Sequence, residues 1–315
     1  MTTPRKTKLD WRADEECQDR AGHEADALVK RLGLTAPIDP LAVAETEHAF
    51  LRTGGDDLGD RYDGKLEYVP QKKRFLLYYN TKYDRFLPEG QHHSRTRFSI
   101  SHELGHYFIE RHHSDLVNGE QPHGSSGEFK NASLKEREAD AFAANLLLPT
   151  HLVSRKLNNG ELTLEAIERV ASDFQASLLC TARRGVRFSD LPCALAGLRE
   201  GRIAWLFPSK ALIEAKIYPG KKTIESPVAL ARWTAFQGGE NDRHQEDGLL
   251  RHWFQTFDRD EELYDVEITQ SFLPVPVMGT LAVLLTMSEE DVLPQEEEDE
   301  EEDEIDRNHR ERFGW

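Results

Sequence analysis

The chain has few cysteines and no long apolar segment. Its three cysteines, Cys17, Cys180 and Cys193, are widely spaced and form no CxxC pair. This pattern argues against a disulfide framework and favours a reducing compartment. No stretch approaches the roughly 18 apolar residues that a membrane span requires, and the basic N-terminus lacks the apolar segment of a secretory signal. We therefore expect a soluble, cytoplasmic protein that does not bind a membrane.

Positive charge is also scarce. The chain has 57 acidic and 40 basic residues and a net charge of -17. Thirteen of the acids lie in residues 289–306, which contain no lysine or arginine, so that 44 acids face 40 bases elsewhere. Because a block of like charges repels itself, the sequence predicts a disordered acidic tail at 288–315 on a nearly neutral body. The absence of a basic excess argues against nucleic-acid binding as the main function.

A specific chemistry is indicated by "TRFSISHELGHYFIERHH", residues 96–113. On a helix, His102 and His106 lie one turn apart and can present both imidazoles to one metal ion. Glu103 lies about 100° around that helix, so it can reach a metal-bound water without being a ligand. A separate apolar stripe can be buried while the histidines face a cleft, which is the arrangement an HExxH metal helix requires.

The HExxH motif also has a simpler explanation. In a chain with thirteen histidines, a polar helix can contain the motif by chance. His112, His113 and His123 are close in sequence and can mimic a metal cluster. The metal interpretation therefore depends on a third ligand outside the first helix.

A second predicted helix, "KEREADAFAANLLL", offers that ligand. A catalytic zinc site has three protein ligands and leaves a fourth position for water. Glu136 can be the third ligand, and Asp140, one turn later, can accept a hydrogen bond from the free ring nitrogen of a ligand histidine. Glu138 lies on another face and is expected to be a solvated charge. The small residues Gly105 and Ala143 would allow the two helices to approach closely.

Together these motifs resemble the ImmA/IrrE metallopeptidases. The family pattern, RFxxAHELGH followed by ExEAxxFAxxLLMP, is matched by "RFSISHELGHYF" and "EREADAFAANLLLP", and "FLLYYN" matches the strand that precedes them. The resemblance covers residues 15–190. It departs at Ser101, where the family has alanine, at Leu148, where it has methionine, and in a longer segment between Asn80 and Arg97.

The resemblance implies a zincin-like metallopeptidase with Zn²⁺ as cofactor. The family's ligands correspond to His102, His106 and Glu136, and its catalytic glutamate to Glu103. Family members cleave helix-turn-helix repressors and so release genes for mobile-element transfer, stress responses or anti-phage defence. A repressor of this type is therefore the expected substrate. DNA or single-stranded DNA as an activating signal, and a homodimer, remain open alternatives.

The expected reaction is amide hydrolysis at one metal ion. Zinc lowers the pKa of its water to about 7, and Glu103 acts as general base and then as general acid. The donor to the oxyanion is left open among Tyr78, Tyr79, Tyr107 and His123. The strand 74–80, with Tyr78, Tyr79 and Asn80, would bind an extended substrate if it lies at a sheet edge. A core strand is an equal alternative.

The predicted fold is α+β, in five parts. These are a disordered N-terminus (1–14), a zinc metallopeptidase domain (15–150), a helix-turn-helix-like segment (151–190), a GAF-like α/β sensor domain (191–287) and the acidic tail (288–315). The GAF-like character comes from the resemblance. The sequence of residues 191–287 indicates only a separate core with its own tryptophans.

The competing hypothesis is a DNA-binding transcriptional regulator with a structural or vestigial zinc site. "TLEAIERVASDFQASLLCTARRG" predicts two helices joined by a tight turn, and Arg183, Arg184 and Arg187 lie in or after the second one. Several acids in the same segment oppose phosphate binding. A site with three ligands and a general base also fits catalysis better than a structural role, which usually uses four ligands.

Overall fold

The computed structural model describes residues 8–119, 133–158, 160, 162–256 and 265–292, with side chains from residue 16 onward. The chain divides into two compact units, Met1–Asn159 with Thr163–Gly185 and Gly160–Leu162 with Val186–Trp315. Mixed helices and strands in both units agree with the predicted α+β class. The five-part division stays a prediction. His123, residues 1–7 and residues 293–315 of the acidic tail lie outside the described residues.

The first unit combines eight helices with a three-stranded sheet in its described part. The helices are α1 (Lys8–Leu32), α2 (Pro40–Glu45), α3 (Ser94–Phe108), α4 (Glu110–Val117), α5 (Leu134–Leu147), α6 (Thr150–Leu157), α7 (Leu164–Phe174) and α8 (Leu178–Phe188). The strands are β1 (Leu51–Asp56), β2 (Gly64–Val69) and β3 (Arg74–Asn80). Because α1 begins at Lys8, the prediction that 1–14 is disordered is wrong for residues 8–14. Pro4 is the last proline before Pro37, so no proline interrupts the helix.

The strand β3 is central in this sheet. The strand order is β1-β3-β2, with β1 parallel and β2 antiparallel to β3. The possibility that residues 74–80 form an edge strand is therefore wrong, and the core-strand alternative is correct. Leu77 of β3 is fully buried, which is what a strand paired on both sides requires. The edge next to the metal-site helix belongs to β2 instead.

The strand β1 passes through Gly54 and Gly55, although glycine is uncommon within strands. Parallel pairing sets Gly55 opposite Tyr79. A β carbon at position 55 would lie 2.5 Å from the Tyr79 ring, so glycine here makes room for the ring. The glycines thus mark a close contact within the sheet and not the end of a strand.

The core of the first unit joins the sheet to α1, α3 and α5. Its buried apolar side chains include Ala21, Ala25, Leu28 and Val29 of α1, Leu51, Leu66, Phe75 and Leu77 of the sheet, Ile100 and Leu104 of α3, and Phe142 and Leu146 of α5. Close packing of α3 against α5 depends on Gly105, as predicted. A β carbon there would lie 3.1 Å from the Cα of Ala139. This contact brings the two motif-bearing helices together.

The predicted helix pair after the peptidase motifs is present as α7 and α8. Gln175, at the end of α7, has a left-handed backbone (φ 51°), which ends the helix and starts the tight turn. Thr163 caps the start of α7 by accepting a hydrogen bond from the Ala166 amide. Local sequence signals therefore located both helices correctly.

The second unit is built on an antiparallel sheet. Its strands are β4 (Cys193–Arg199), β5 (Arg202–Pro208), β6 (Ile217–Pro219), β7 (His244–Leu249), β8 (Phe254–Thr256), β9 (Glu267–Val275) and β10 (Thr280–Thr286), and its helices are α9 (Lys210–Glu214), α10 (Pro227–Gln237) and α11 (Glu289–Val292). The main sheet has the order β5-β4-β10-β9-β7, and β6 pairs with β8. The helix α11 lies within the tail predicted to be disordered, so that prediction is wrong for residues 289–292.

A separate core holds the second unit together. Trp233 of α10 packs with Trp253 and with buried residues of the main sheet such as Phe272 and Val283. Gln270 is buried at the centre and accepts hydrogen bonds from Ser226 and Trp253. In neither unit is any described helix long and apolar enough to span a membrane.

Candidate metal centre

The helix α3 is fixed at its start by the segment that precedes it. The His93 side chain accepts a hydrogen bond from the Arg95 amide and caps the helix. Asp84 accepts hydrogen bonds from the His93 amide and from the Thr96 hydroxyl, at 2.8 and 2.7 Å. These bonds satisfy donors that the first helical turn leaves open. They tie the longer segment between Asn80 and Arg97 to the helix that carries the HExxH motif.

Three predicted ligands converge between α3 and α5. The Nε2 atoms of His102 and His106 lie 3.2 Å apart. The Glu136 carboxylate lies 3.2 Å from His102 Nε2 through Oε2 and 3.4 Å from His106 Nε2 through Oε1. Ser133 caps α5 through the Glu136 amide and so fixes the start of the helix that carries this ligand. In the described part of the chain, these residues form the one group of three side chains suited to hold a metal ion.

The spacing of these atoms suits a zinc ion. Zinc bonds of about 2.0–2.2 Å at tetrahedral angles separate neighbouring ligand atoms by about 3.3–3.6 Å, close to the three measured distances. Two imidazoles and a carboxylate are also ligand types that zinc accepts. Side-chain exposure increases from 6% at His102 to 11% at His106 and 23% at Glu136. The site is therefore open to solvent on the Glu136 side.

Electrostatics also favour a cation at this point. Burial disfavours a charged His102, but hydrogen bonds to Asp140 and Glu136 outweigh burial and hold its pKa well above the usual range. Burial opposes ionisation of Glu136, yet its bonds to His102 and His106 hold the pKa of this carboxyl well below the usual range. The carboxylates thus stabilise positive charge between the three side chains, where a proton and a metal ion would compete.

Asp140 has the contact predicted for it. Its Oδ1 lies 2.9 Å from Nδ1 of His102. Because an ionised carboxylate only accepts hydrogen bonds, His102 donates from Nδ1 and turns Nε2 towards the other ligands. This pairing fixes both the tautomer and the orientation of the first histidine.

His106 is held differently, by a contact that the sequence analysis missed. Its Nδ1 lies 3.2 Å from Nδ1 of His112, whose Nε2 lies 3.0 Å from Oε2 of Glu138. Glu138 also pairs with Arg111. Glu138 is only 3% exposed, so the prediction of a solvated charge is wrong, because α4 sets His112 and Arg111 against it. Burial, with the charge of His106, lowers the pKa of His112 to about 3, which keeps this ring neutral.

Glu103 lies beside the ligands and against the edge strand. It is 1% exposed. A β carbon on Gly64, the first residue of β2, would lie 2.8 Å from Oε1 of Glu103. Glycine at the start of this strand therefore leaves the space that the carboxylate occupies. The Glu103 carboxylate and the start of β2 thus lie side by side.

Substrate binding by Tyr78, Tyr79 and Asn80 stays a prediction, and the three side chains have different surroundings. Asn80 is buried; its amide donates to the carbonyls of Gly59 and Tyr62, and its oxygen accepts from Leu58 and Lys82. It therefore holds the 57–62 loop. The Tyr79 ring packs over the backbone of β1. Tyr78 is partly exposed on the same central strand, and nothing in the structure ties it to the three ligands.

Another candidate for the oxyanion donor is engaged elsewhere. The hydroxyl of Tyr107 donates to Glu47 at 3.0 Å. Burial and this carboxylate raise the pKa of Tyr107, so the hydroxyl stays protonated. His123 lies outside the described residues, and the identity of the donor stays open.

The arginines of α8 do not form the basic face that phosphate binding requires. Arg184 is 6% exposed and donates to the Leu148 carbonyl and the Thr150 hydroxyl. Burial lowers the pKa of Arg183, and the carboxylate of Asp140 opposes this shift. Arg183 is partly buried and Arg187 is exposed. The three arginines therefore do not share one exposed face.

Comparison with known proteins agrees with this site. No curated protein matches the chain significantly. Among solved structures, a Mycobacterium tuberculosis transcriptional regulator has a similar fold, with a TM-score of 0.55 and 14% identity over 86% of this chain and 79% of that chain. Residues 63–184 match the family model of the IrrE N-terminal-like domain, peptidase family M78. This stretch runs from β2 to α8 and contains all three ligands and Glu103. Residues 63–184 thus resemble an IrrE N-terminal-like peptidase domain, as the sequence motifs indicate.

Proposed function

We propose that the chain is a zinc-dependent endopeptidase. The observation that carries the proposal is the convergence of His102, His106 and Glu136 within 3.2–3.4 Å of one another beside the buried carboxylate of Glu103. Three protein ligands leave a coordination position open, as in catalytic zinc sites and unlike closed structural ones.

The chain's own residues have distinct parts in the reaction. Zinc, when bound, supplies a Lewis acid that lowers the pKa of water to about 7. Glu103 accepts the proton of the attacking water and returns it to the leaving amine. Its burial against Gly64 holds the carboxylate at one position. Asp140 and His112 keep the two imidazoles turned towards the ligand site.

An extended peptide fits the edge of the sheet. In the described part of the chain, β2 lies at the sheet edge and pairs with β3, and we infer that an extended substrate binds along this edge by strand addition. Its first residue touches the general base, which would bring the backbone of such a peptide close to Glu103. Strand addition binds main chain and not a chain terminus, which favours internal cleavage.

The substrate we propose is a helix-turn-helix repressor whose cleavage releases stress, mobile-element or defence genes. This proposal is supported by the match of residues 63–184 to the IrrE N-terminal-like domain and by the position of β2 at the edge of the described sheet, which suits a substrate segment that can become extended. A DNA-binding regulator with a vestigial zinc site has less support, because Arg184 is buried.

The experiment uses the purified full chain and the helix-turn-helix repressor encoded nearest to its gene. We expect zinc-loaded protein to cleave the repressor at an internal bond, detected by mass spectrometry. Glu103→Gln should keep its zinc and lose activity by about 10²–10⁴-fold, because only the general base is removed. Glu136→Ala should lose zinc itself.

The matched control is Glu110→Gln, an exposed carboxylate in the first turn of α4. This variant should keep both zinc and activity. Unchanged cleavage by Glu103→Gln would contradict the mechanism. Full zinc occupancy in Glu136→Ala would show that Glu136 is not the third ligand. Zinc binding without cleavage of the repressor, combined with specific DNA binding, would favour the regulator.

We propose a sensor role for the second unit, with a GAF-like fold. Its support is a five-stranded antiparallel sheet with a core of its own, in a protein whose activity must be silent until a signal arrives. A chain ending at Asp190 tests this, assayed for cleavage with and without extract from DNA-damaged cells. Retained cleavage with loss of the damage response would support regulation. A response equal to that of the full chain would contradict it.

A further inference from the structure

The second histidine ligand has its own buried support, separate from that of the first. Asp140 contacts His102, whereas His106 contacts His112, which in turn contacts Glu138. His112 is 2% exposed and Glu138 is 3% exposed. Polar groups this deeply buried are costly unless each hydrogen bond is made. The hydrogen bonds of the buried His112 and Glu138 therefore indicate why these two polar side chains are tolerated there.

When His106 binds metal, the hydrogen-bonded series His106–His112–Glu138 allows a single assignment of the imidazole protons. A ligand nitrogen uses its lone pair, so Nε2 of His106 carries no proton and Nδ1 carries one. Nδ1 of His106 then donates to Nδ1 of His112 across 3.2 Å. That nitrogen must be the acceptor, which leaves the proton of His112 on Nε2. Nε2 donates across 3.0 Å to Glu138, a carboxylate that only accepts.

Arg111 completes the arrangement by pairing with the other oxygen of Glu138. The guanidinium binds one carboxylate oxygen and leaves the other directed towards His112. The contact of Glu138 with α4 also joins three helices, since His106 is on α3, His112 on α4 and Glu138 on α5. The orientation of one ligand thus depends on groups that are up to 32 residues away in the chain.

We propose that His112 and Glu138 are positioning residues that fix the tautomer and orientation of His106 for metal binding. This inference rests on the proposed zinc site. In this proposal His112 and Glu138 orient a metal ligand, and they do not only fill space between the helices. Removal of such supporting hydrogen bonds weakens metal binding by about 10–100-fold in other metal sites.

The test compares two replacements of His112 in the full chain. His112→Phe fills the site but removes the acceptor for His106. His112→Asn keeps an oxygen close to the position of Nδ1, so it can still accept that hydrogen bond. We expect His112→Phe to bind zinc about 10–100-fold more weakly in a chelator competition titration, and His112→Asn to recover most of that loss. His113→Phe is the matched control, because its ring nitrogen bonds the Tyr107 carbonyl and not a ligand.

A spectroscopic measurement tests the assignment directly. In the zinc-loaded protein, ¹⁵N NMR of the imidazoles should find His112 protonated at Nε2 alone and His106 at Nδ1 alone. Wild-type zinc affinity in His112→Phe would overturn the inference, as would equal losses in the Phe and Asn variants, which would indicate packing only. A wild-type chain that binds no zinc would overturn the proposed function and this inference with it.

Discussion

Gly64 and Glu103 are in contact across the boundary between the sheet and the HExxH helix. A β carbon at position 64 would lie 2.8 Å from Oε1 and 2.9 Å from Cγ of Glu103. Both distances are too short for any side chain to be accommodated without movement. The edge strand therefore limits where the Glu103 carboxylate can lie, and a residue larger than glycine at position 64 would displace the group that we propose as the general base.

The first prediction follows from this contact. Gly64→Ala should displace the Glu103 carboxylate and lower kcat by about 10²-fold, since displacements near 1 Å have effects of this size. Bound zinc, measured by mass spectrometry, should not change. Gly54→Ala is the control in the same sheet, where the nearest atom would be Tyr78 Cδ1 at 4.0 Å. Full activity of Gly64→Ala would mean that Glu103 does not act from its present position.

A second prediction concerns the carboxylate that supports His102. Asp140→Ala removes the acceptor at 2.9 Å from Nδ1 and should weaken zinc binding by about 10–100-fold. Asp140→Asn retains an oxygen and should lose less. Asp173→Ala serves as control, because Asp173 is exposed on α7 and pairs with Lys156. The idea fails if the Ala and Asn variants bind zinc as tightly as the wild type in competition titrations.

Much of this site could be predicted from sequence because its signals are local. His102 and His106 are four residues apart on one helix, as are Glu136 and Asp140 on another, and helical geometry alone sets each pair on one face. Gly105 indicated that these helices approach closely, and it does lie against Ala139.

What the sequence did not reveal depends on contacts between distant segments. The strand β1 contains two glycines, and only its parallel pairing with β3 makes it a strand. Glu138 looked solvated because nothing in its own helix indicates that α4 covers it. Arg184 looked available to DNA because its partners, Leu148 and Thr150, follow a different helix. In each case a tertiary partner overrides the local pattern.

The third prediction tests whether α3 and α5 pack as closely as the structure shows. Its result is whether Gly105→Ala raises or lowers the stability of the protein. In a helix interior, glycine to alanine normally stabilises by up to about 1 kcal/mol. A β carbon on Gly105 would meet the Cα of Ala139 at 3.1 Å and its carbonyl oxygen at 3.2 Å. Overpacking of this kind costs about 1–3 kcal/mol. Gly105→Ala should therefore lower Tm, and an unchanged or higher Tm would show that the helices can separate.

The last prediction uses the cysteines to test how α8 packs. Burial raises the pKa of Cys180 to about 11, although Arg184 and Arg183 oppose the shift, and burial raises the pKa of Cys193 to about 11 as well. A raised pKa leaves the unreactive thiol at neutral pH, so at pH 8 on the order of one molecule in a thousand is a thiolate. Cys17 on α1 and Cys180 are both partly exposed, and Cys193 is buried. Iodoacetamide should modify Cys17 first, because the raised pKa slows Cys180 and burial also slows Cys193.

Peptide mass spectrometry measures the rate at each thiol. Modification of Cys180 should rise about tenfold per pH unit between pH 8 and 10, and in urea all three cysteines should react at similar rates. Cys17→Ser should remove the fast phase and leave the slow ones. Rapid modification of Cys180 at pH 8 would mean that the packing of α8 does not raise the pKa of the Cys180 thiol. Arg184, one turn later on this helix, would then be available to a phosphate, and the DNA-binding alternative would regain support.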